Sequence, residues 1–174
     1  MKRFIFIALI FASTISASFA QIKSEKSIGI DAGLGVSFID GTGVLDFQIQ
    51  PQFNYFVANN CQLSIGIGYG FSNYTHTFLV NPGFNYYVKL ADGLYYTPGI
   101  NIAGGITAIE GYSMPTFGVD LELFSLEFRP TSKLGITFHA CNFTYVGLLG
   151  DYITINGINF GINTGSTLGL KFYF

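Results

Sequence analysis

Residues 159–174 read Asn-Phe-Gly-Ile-Asn-Thr-Gly-Ser-Thr-Leu-Gly-Leu-Lys-Phe-Tyr-Phe, and their alternation decides the fold. Phe160, Ile162, Leu168, Leu170, Phe172 and Phe174 share one parity, whereas Asn159, Gly161, Asn163, Gly165, Gly169 and Lys171 share the other. Successive side chains of a strand point to opposite faces, so a period of two predicts a strand with one apolar face.

Seven segments upstream repeat the pattern. In the first, Ile28, Ile30, Ala32, Leu34, Val36 and Phe38 oppose Gly29, Asp31, Gly33, Gly35 and Ser37, and the turn cluster Asp40-Gly41-Thr42-Gly43 ends it. The second, about 44–57, sets Leu45, Phe47, Ile49, Phe53, Tyr55 and Val57 against Asp46, Gln48, Gln50, Gln52 and Asn54. After the turn Ala58-Asn59-Asn60, the third sets Leu63, Ile65, Ile67, Tyr69 and Phe71 against Gln62, Ser64, Gly66, Gly68 and Gly70. The fourth carries Phe78, Val80, Phe84, Tyr86 and Val88 against Asn81, Gly83, Asn85 and Lys89. The fifth carries Tyr96, Ile100 and Ile102 against Thr97, Gly99 and Asn101. In the sixth, Phe117, Val119, Leu121 and Leu123 give way to Leu126 and Phe128 on the other parity, which predicts a β-bulge near Phe124-Ser125. The seventh sets Leu134, Ile136 and Phe138 against Lys133, Gly135, Thr137 and His139, then changes parity before Phe143 and Tyr145.

Eight strands, an even number, put both chain ends on the same side. Residues 58–60, 91–93 and 130–132 are short turns, and residues 72–77, 104–114 and 147–158 are expected as longer loops, the asymmetry of a membrane barrel. Pro51, Pro82 and Pro98 recur in a shared motif, each on the apolar parity. Proline cannot donate to a ladder, so bulges or lost ladder bonds are expected at all three.

The chain opens with the basic Met1-Lys2-Arg3, an apolar run from Phe4 to Phe11, and Ser18-Phe19-Ala20 before Gln21. This is the layout of a cleaved secretion signal over residues 1–20; Ser13 and Thr14 break the run well short of the roughly 20 residues that a membrane helix needs. Residues 21–174 then form one domain. Without Lys2 and Arg3, six basic residues stand against ten acidic, a net charge of −4 and no electrostatic footprint for nucleic acid. Charged residues make up only 10%, aromatics reach 17% and there are 22 glycines, which suits a lipid-facing surface around a narrow interior. No later apolar run is long enough for a spanning helix, so a crossing would be made by strands.

Cys61 and Cys141 fall in the third and seventh strands, far apart in a barrel, and are expected as free thiols. No paired His or Cys-x-x-Cys spacing suggests a metal site. His76 lies in a polar loop with no neighbour to make it a base.

The signal segment, the eight alternating segments and the terminal Lys171-Phe172-Tyr173-Phe174 together resemble the small eight-stranded outer-membrane β-barrel family typified by OmpX and the OmpA barrel domain, over roughly residues 27–174. The resemblance implies an all-β, eight-stranded antiparallel up-and-down transmembrane β-barrel. It would be a monomer in the cell outer membrane, surrounded by outer-membrane lipid, without cofactor, its loops facing the cell exterior in a structural or interaction role. It further implies that Phe172, Tyr173 and Phe174 form the signal read by the barrel assembly machinery. Outer-membrane lipid A deacylases are also barrels, with Ser, His and an acid on a strand face. His139-Ala140-Cys141 does not reproduce their His-x-Ser spacing, so no catalytic residue is predicted.

Asp31, Asp46, Lys89, Asp120, Glu122, Glu127, Arg129, Lys133, His139 and Lys171 share the polar parity. Side chains just about fill an eight-stranded barrel, so these residues are expected as an internal ion-paired plug. The alternative is a narrow pore for ions or small solutes, which the inward glycines would favour. A secreted soluble barrel carrying an apolar ligand would reverse the two faces, and the chain has no Trp for the Gly-x-Trp signature of lipocalins.

Overall fold

The computed structural model describes residues 23–39, 42–72, 74–109, 111–149, 154–161 and 167–174. The expected signal segment, residues 1–20, and the turn at Asp40-Gly41 lie outside them. The strands are β1 (Lys26–Ile39), β2 (Thr42–Ala58), β3 (Cys61–Ser72), β4 (Thr75–Tyr86), β5 (Val88–Ala91), β6 (Leu94–Tyr96), β7 (Gly99–Ile109), β8 (Tyr112–Thr131), β9 (Leu134–Leu149), β10 (Thr154–Gly161) and β11 (Thr167–Tyr173).

These segments build eight staves. β5 continues β4 beyond Tyr87, β7 continues β6 beyond Thr97-Pro98, and β10 and β11 both pair with β9. Every neighbouring pair is antiparallel, and β1 pairs with β11 from Ser27↔Tyr173 to Ala32↔Leu168, which closes the ring. Closure is what makes the sheet compatible with lipid, because an open edge would leave backbone donors and acceptors unsatisfied at several kcal/mol each.

Alternation assigns the two faces. Phe53, Ile65, Ile67, Phe84, Ile100, Ile136 and Leu168 are exposed on the outer wall, with Phe47, Ile49 and Leu121 half-exposed beside them. Asn54 and Asn85 are buried inside, and Asp46, Gln48, Gln50 and Asn101 share that face. The core is therefore polar and the outside apolar, the reverse of a water-soluble barrel. The fold is an all-β, eight-stranded antiparallel transmembrane β-barrel.

The expected long loops are absent where the chain is described. β3 and β4 are separated only by residues 73–74, β7 and β8 only by 110–111, and β9 and β10 by 150–153. The segment 104–114 was expected as a loop because of its glycines, yet it belongs to β7 and β8. Ile102 and Ile106 stay exposed while Thr107 is buried, so the alternation simply continues through Gly104 and Gly105. A Cβ on Gly105 would strike the Phe78 carbonyl, so glycine there serves a close approach between strands. Residues 147–158, likewise expected as a loop, contribute the end of β9 and the start of β10.

Within the terminal stretch, β10 ends at Gly161 and β11 begins at Thr167. Gly161 pairs with Asn142 and Thr167 with His139, and Ile162, Asn163 and Gly165 of the expected alternation lie outside the described residues. Among the described residues the pairing of β1 with this stave ends at Ala32↔Leu168.

The bulge falls where the parity change placed it. The β8–β9 register shifts between Glu122 and Ser125, and Leu123 and Phe124 on β8 face two residues of β9 between His139 and Asn142. Two residues on each strand separate the pairs Glu122↔Asn142 and Ser125↔His139, so the ladder resumes in step on either side. The prolines act as expected. The β2–β3 ladder skips Gln50 and Pro51, the β4–β7 ladder skips Asn81 and Pro82, and Pro98 interrupts its stave between β6 and β7.

Candidate functional site in the barrel lumen

The lumen is bridged in layers, and its tightest layer surrounds Glu127. Glu127 sits on β8 beyond the bulge, on the inward parity, with 0% of its surface exposed. Its Oε1 accepts from Arg129 Nε at 2.6 Å and from the Tyr173 hydroxyl. Its Oε2 accepts from the Tyr87 hydroxyl at 2.8 Å and from Lys171 Nζ at 3.2 Å. Four donors use the four lone-pair positions of a carboxylate, which is the condition under which a charge can be buried without large cost.

The donors come from different walls. Tyr87 lies at the break between β4 and β5, where its N–H donates to the Asn60 carbonyl at 2.8 Å. Asn60 adopts a left-handed φ of 66°, a conformation that asparagine tolerates in a tight turn. Lys171 and Tyr173 lie on β11, and Lys171 Nζ also donates to the Tyr87 hydroxyl at 3.0 Å. Gln62 on β3 accepts from Tyr87 at 3.2 Å. The Arg129 guanidinium lies 3.4 Å from the centroid of the Tyr173 ring and pairs with Glu25 at 3.2 Å. Phe56 meets Tyr87 edge-on at 4.9 Å between ring centroids, completing the layer.

A second layer is built around Glu122, which accepts from Asn85 at 3.0 Å and Asn101 at 2.8 Å and lies 3.3 Å from His139 Nδ1. Ser125 Oγ reaches the same Nδ1 at 3.0 Å, and Thr97 reaches Ser125 at 2.7 Å. A nucleophile–base–acid triad needs its histidine to use one ring nitrogen for the nucleophile and the other for the acid. Here both partners meet Nδ1.

Asp31 on β1 accepts from Gln52 at 2.6 Å and Thr137 at 3.0 Å, tying β1 to its neighbour β2 and to β9 across β11. Gln50 accepts from Asn81 at 2.5 Å, spanning from β2 to β4 over β3. That bridge passes over Gly66 and Gly68: a Cβ on Gly66 would lie 2.8 Å from Gln50, and one on Gly68 3.1 Å from Asn81. Asp46 accepts from Ser72, and Thr107 joins Thr77 and Thr116 at 3.1 and 2.7 Å.

The charged residues on the polar parity thus divide. Glu127, Arg129 and Lys171 meet in one cluster; Glu122 and His139 form another; Asp31 and Asp46 bridge separate strand pairs, and Asp120 lies on β8 level with Asn101. Lys89 does not join them. It lies at the barrel rim and pairs with Asp92 of the β5–β6 turn at 2.7 Å, an interaction that holds the Asp92 carboxyl below its ordinary value. Lys133 is exposed in the β8–β9 turn. Phe172 and Phe174 face outward and are exposed, whereas Tyr173 is buried in the cluster.

Tyr87 and Glu25 stand outside the polar face read from the sequence, where Gln62 is one polar residue of the third strand among several. The signal for Tyr87 was present, since it shares the parity of Asn85, but its aromatic ring resembled one more lipid-facing residue.

The closed ring, its apolar exterior and its hydrogen-bonded polar interior together define a small outer-membrane-type β-barrel. Solved structures agree. The crystal structure of Neisserial surface protein A is similar with a TM-score of 0.53 at 10% identity, over 86% of this chain and 97% of that one. The N-terminal β-barrel domain of Pseudomonas aeruginosa OprF is similar with a TM-score of 0.51 at 13% identity, over 88% of this chain and 100% of that one. No protein family and no curated protein matches the chain by sequence. The fold is that of the small eight-stranded outer-membrane β-barrels.

Proposed function

We propose that this chain is an integral protein of the cell outer membrane with a structural or interaction role, sealed along its axis rather than open as a pore. The observation that carries the reading is the Glu127 layer, where side chains from β8, β11 and the β4–β5 break converge on one carboxylate and Gln62 of β3 accepts from Tyr87 beside it. On this reading export begins with residues 1–20, the barrel assembly machinery is the partner during biogenesis, and the folded barrel is a monomer in lipid. The sharing of one His139 nitrogen by Ser125 and Glu122 supports a non-catalytic interior.

The strands supply the outward surface in place of loops. β8 has 20 residues. At about 3.3 Å per residue and a tilt of about 40° it rises on the order of 50 Å, roughly twice the apolar band of about 25 Å that lipid requires. The excess stands outside the membrane as a sheet able to meet other molecules. Planar-bilayer recording tests the seal: the purified barrel should give no steady conductance, and steady single-channel steps would favour the narrow pore instead.

A further inference from the structure

Eight residues of the chain are Lys or Arg, and all six that follow the leading segment, Lys23, Lys26, Lys89, Arg129, Lys133 and Lys171, lie near one end of the barrel, where β1 starts, β11 ends and the β5–β6 and β8–β9 turns fall. None occurs in residues 34–82 or 94–128. Arg129 and Lys171 are engaged inside the lumen and Lys89 is paired with Asp92. Lys23, Lys26 and Lys133 are exposed.

These three lysines occupy one arc of the rim. The Tyr173 N–H donates to the Lys133 carbonyl at 2.9 Å, and Phe174 exchanges backbone bonds with Lys26 at 2.9 and 3.3 Å. The Lys23 N–H donates to Asn59 of the β2–β3 turn at 3.2 Å. The arc therefore runs from Lys133 past the end of β11 to Lys26 and Lys23, across the seam that closes the ring. Glu25, the acid within it, is turned toward Arg129. Lys26 has the outward parity of Ile28, and Phe174 that of Phe172. Ile28, Phe172 and Phe174 are 56%, 58% and 68% exposed, an apolar strip on the outer wall beside the lysines.

We propose that this seam binds an anionic glycerophospholipid of the leaflet at the basic end, its phosphate among Lys23, Lys26 and Lys133 and its acyl chains along Ile28, Phe172 and Phe174. Lysines at a membrane surface draw acidic headgroups, and their stems lie along apolar surface while the ammonium stays in the headgroup layer. The combination selects lipid over a soluble polyanion, which would use the charges and leave the apolar strip unoccupied. The proposal rests on the membrane reading above.

Native mass spectrometry of the full barrel, released from detergent in the presence of phosphatidylglycerol or phosphatidylcholine, tests it. Phosphatidylglycerol should be retained several-fold better, the triple variant K23Q/K26Q/K133Q should lose that preference, and K89Q should keep it. Should the triple variant not fold, K26Q alone should lower the preference by at least twofold. Equal retention of the two lipids, a preference that survives the substitutions, or displacement by inorganic phosphate or a soluble sulfated polysaccharide would overturn the site. Insertion of the wild type into phosphatidylcholine vesicles, read as heat-dependent gel migration, is scored separately. A barrel that inserts without lipid preference refutes only the seam site, and one that never inserts refutes the membrane reading.

Discussion

A buried carboxylate that accepts from four donors loses more than one contact when it is removed. Glu127→Ala would leave Lys171 and Arg129 charged inside the lumen, with Glu25 the remaining acid paired with Arg129 among the described residues. Breaking a buried pair by deleting one partner costs about 3–5 kcal/mol, so the urea midpoint of the folded barrel in vesicles should fall by that equivalent. A midpoint shift near zero would show that the cluster does not hold the interior together. Substitutions on the outer wall follow the other rule. Ile65 is exposed on the lipid face and Gln50 bonds Asn81 within the lumen, so Ile65→Arg should cost about 2–4 kcal/mol at mid-bilayer and lower the folded fraction far more than Gln50→Arg. At this scale the sequence revealed which side each residue faces, because parity is local. It could not show that Glu127, rather than Asp31 or Glu122, gathers Lys171, because that depends on the register of β8 against a strand more than forty residues away. Lys89 shows the limit of parity alone: the right face near a strand end is still the rim, where Asp92 is the nearer partner.

Elements are shaped by what their glycines admit. A Cβ on Gly169 of β11 would collide with the Asp31 carboxylate and the Thr137 hydroxyl, whereas one on Gly104 of β7 would meet nothing within 4 Å. Gly169→Val should therefore disturb the β1–β11–β9 bridge and reduce the yield of compact, heat-resistant barrel, while Gly104→Ala should leave it unchanged. Equal behaviour of the two variants would mean that the Asp31 bridge adapts without cost. The same residues explain why strand ends were hard to read. Glycine contributes no hydrophobic signal to either face, so the run from Gly104 looked like a loop although its ladder continues to Ile109↔Tyr112. The bulge at Phe124 was legible because large apolar residues change parity there. Strand order adds a chemical prediction. Cys61 is a free thiol at the start of β3 and Cys141 lies on β9, on opposite walls of the ring, beyond the ~7 Å between Cα atoms that a disulfide allows. Thiol titration of the unfolded, unreduced protein should count both, and a count of zero would contradict this order.

Across the whole molecule, stability depends on one seam. Among the described residues the ring closes through the pairs from Ser27↔Tyr173 to Ala32↔Leu168, and the Glu127 layer supports that seam from inside by joining Tyr173 and Lys171 of β11 to β8, and Arg129 of β8 to Glu25 beside β1. The terminal aromatics thus divide their work: Phe172 and Phe174 face outward, while Tyr173 lies under Arg129 and donates to Glu127. Two variants separate the contributions. Tyr173→Phe keeps the ring beneath Arg129 and the backbone ladder but removes one donor to Glu127, so it should still fold, at a cost of about 1–3 kcal/mol. Deleting Tyr173 and Phe174 removes the ring, the hydroxyl, the Ser27 pair and both backbone bonds with Lys26. Closure would then begin two residues further in, with the edges below it unsatisfied in lipid, and the truncated chain should fail to give a heat-resistant, compactly migrating species in vesicles or in cells. If it fails in cells but still folds in vesicles, these residues matter as a signal to the assembly machinery rather than as the lock of the ring. If it folds in both, the seam is not what holds the barrel shut.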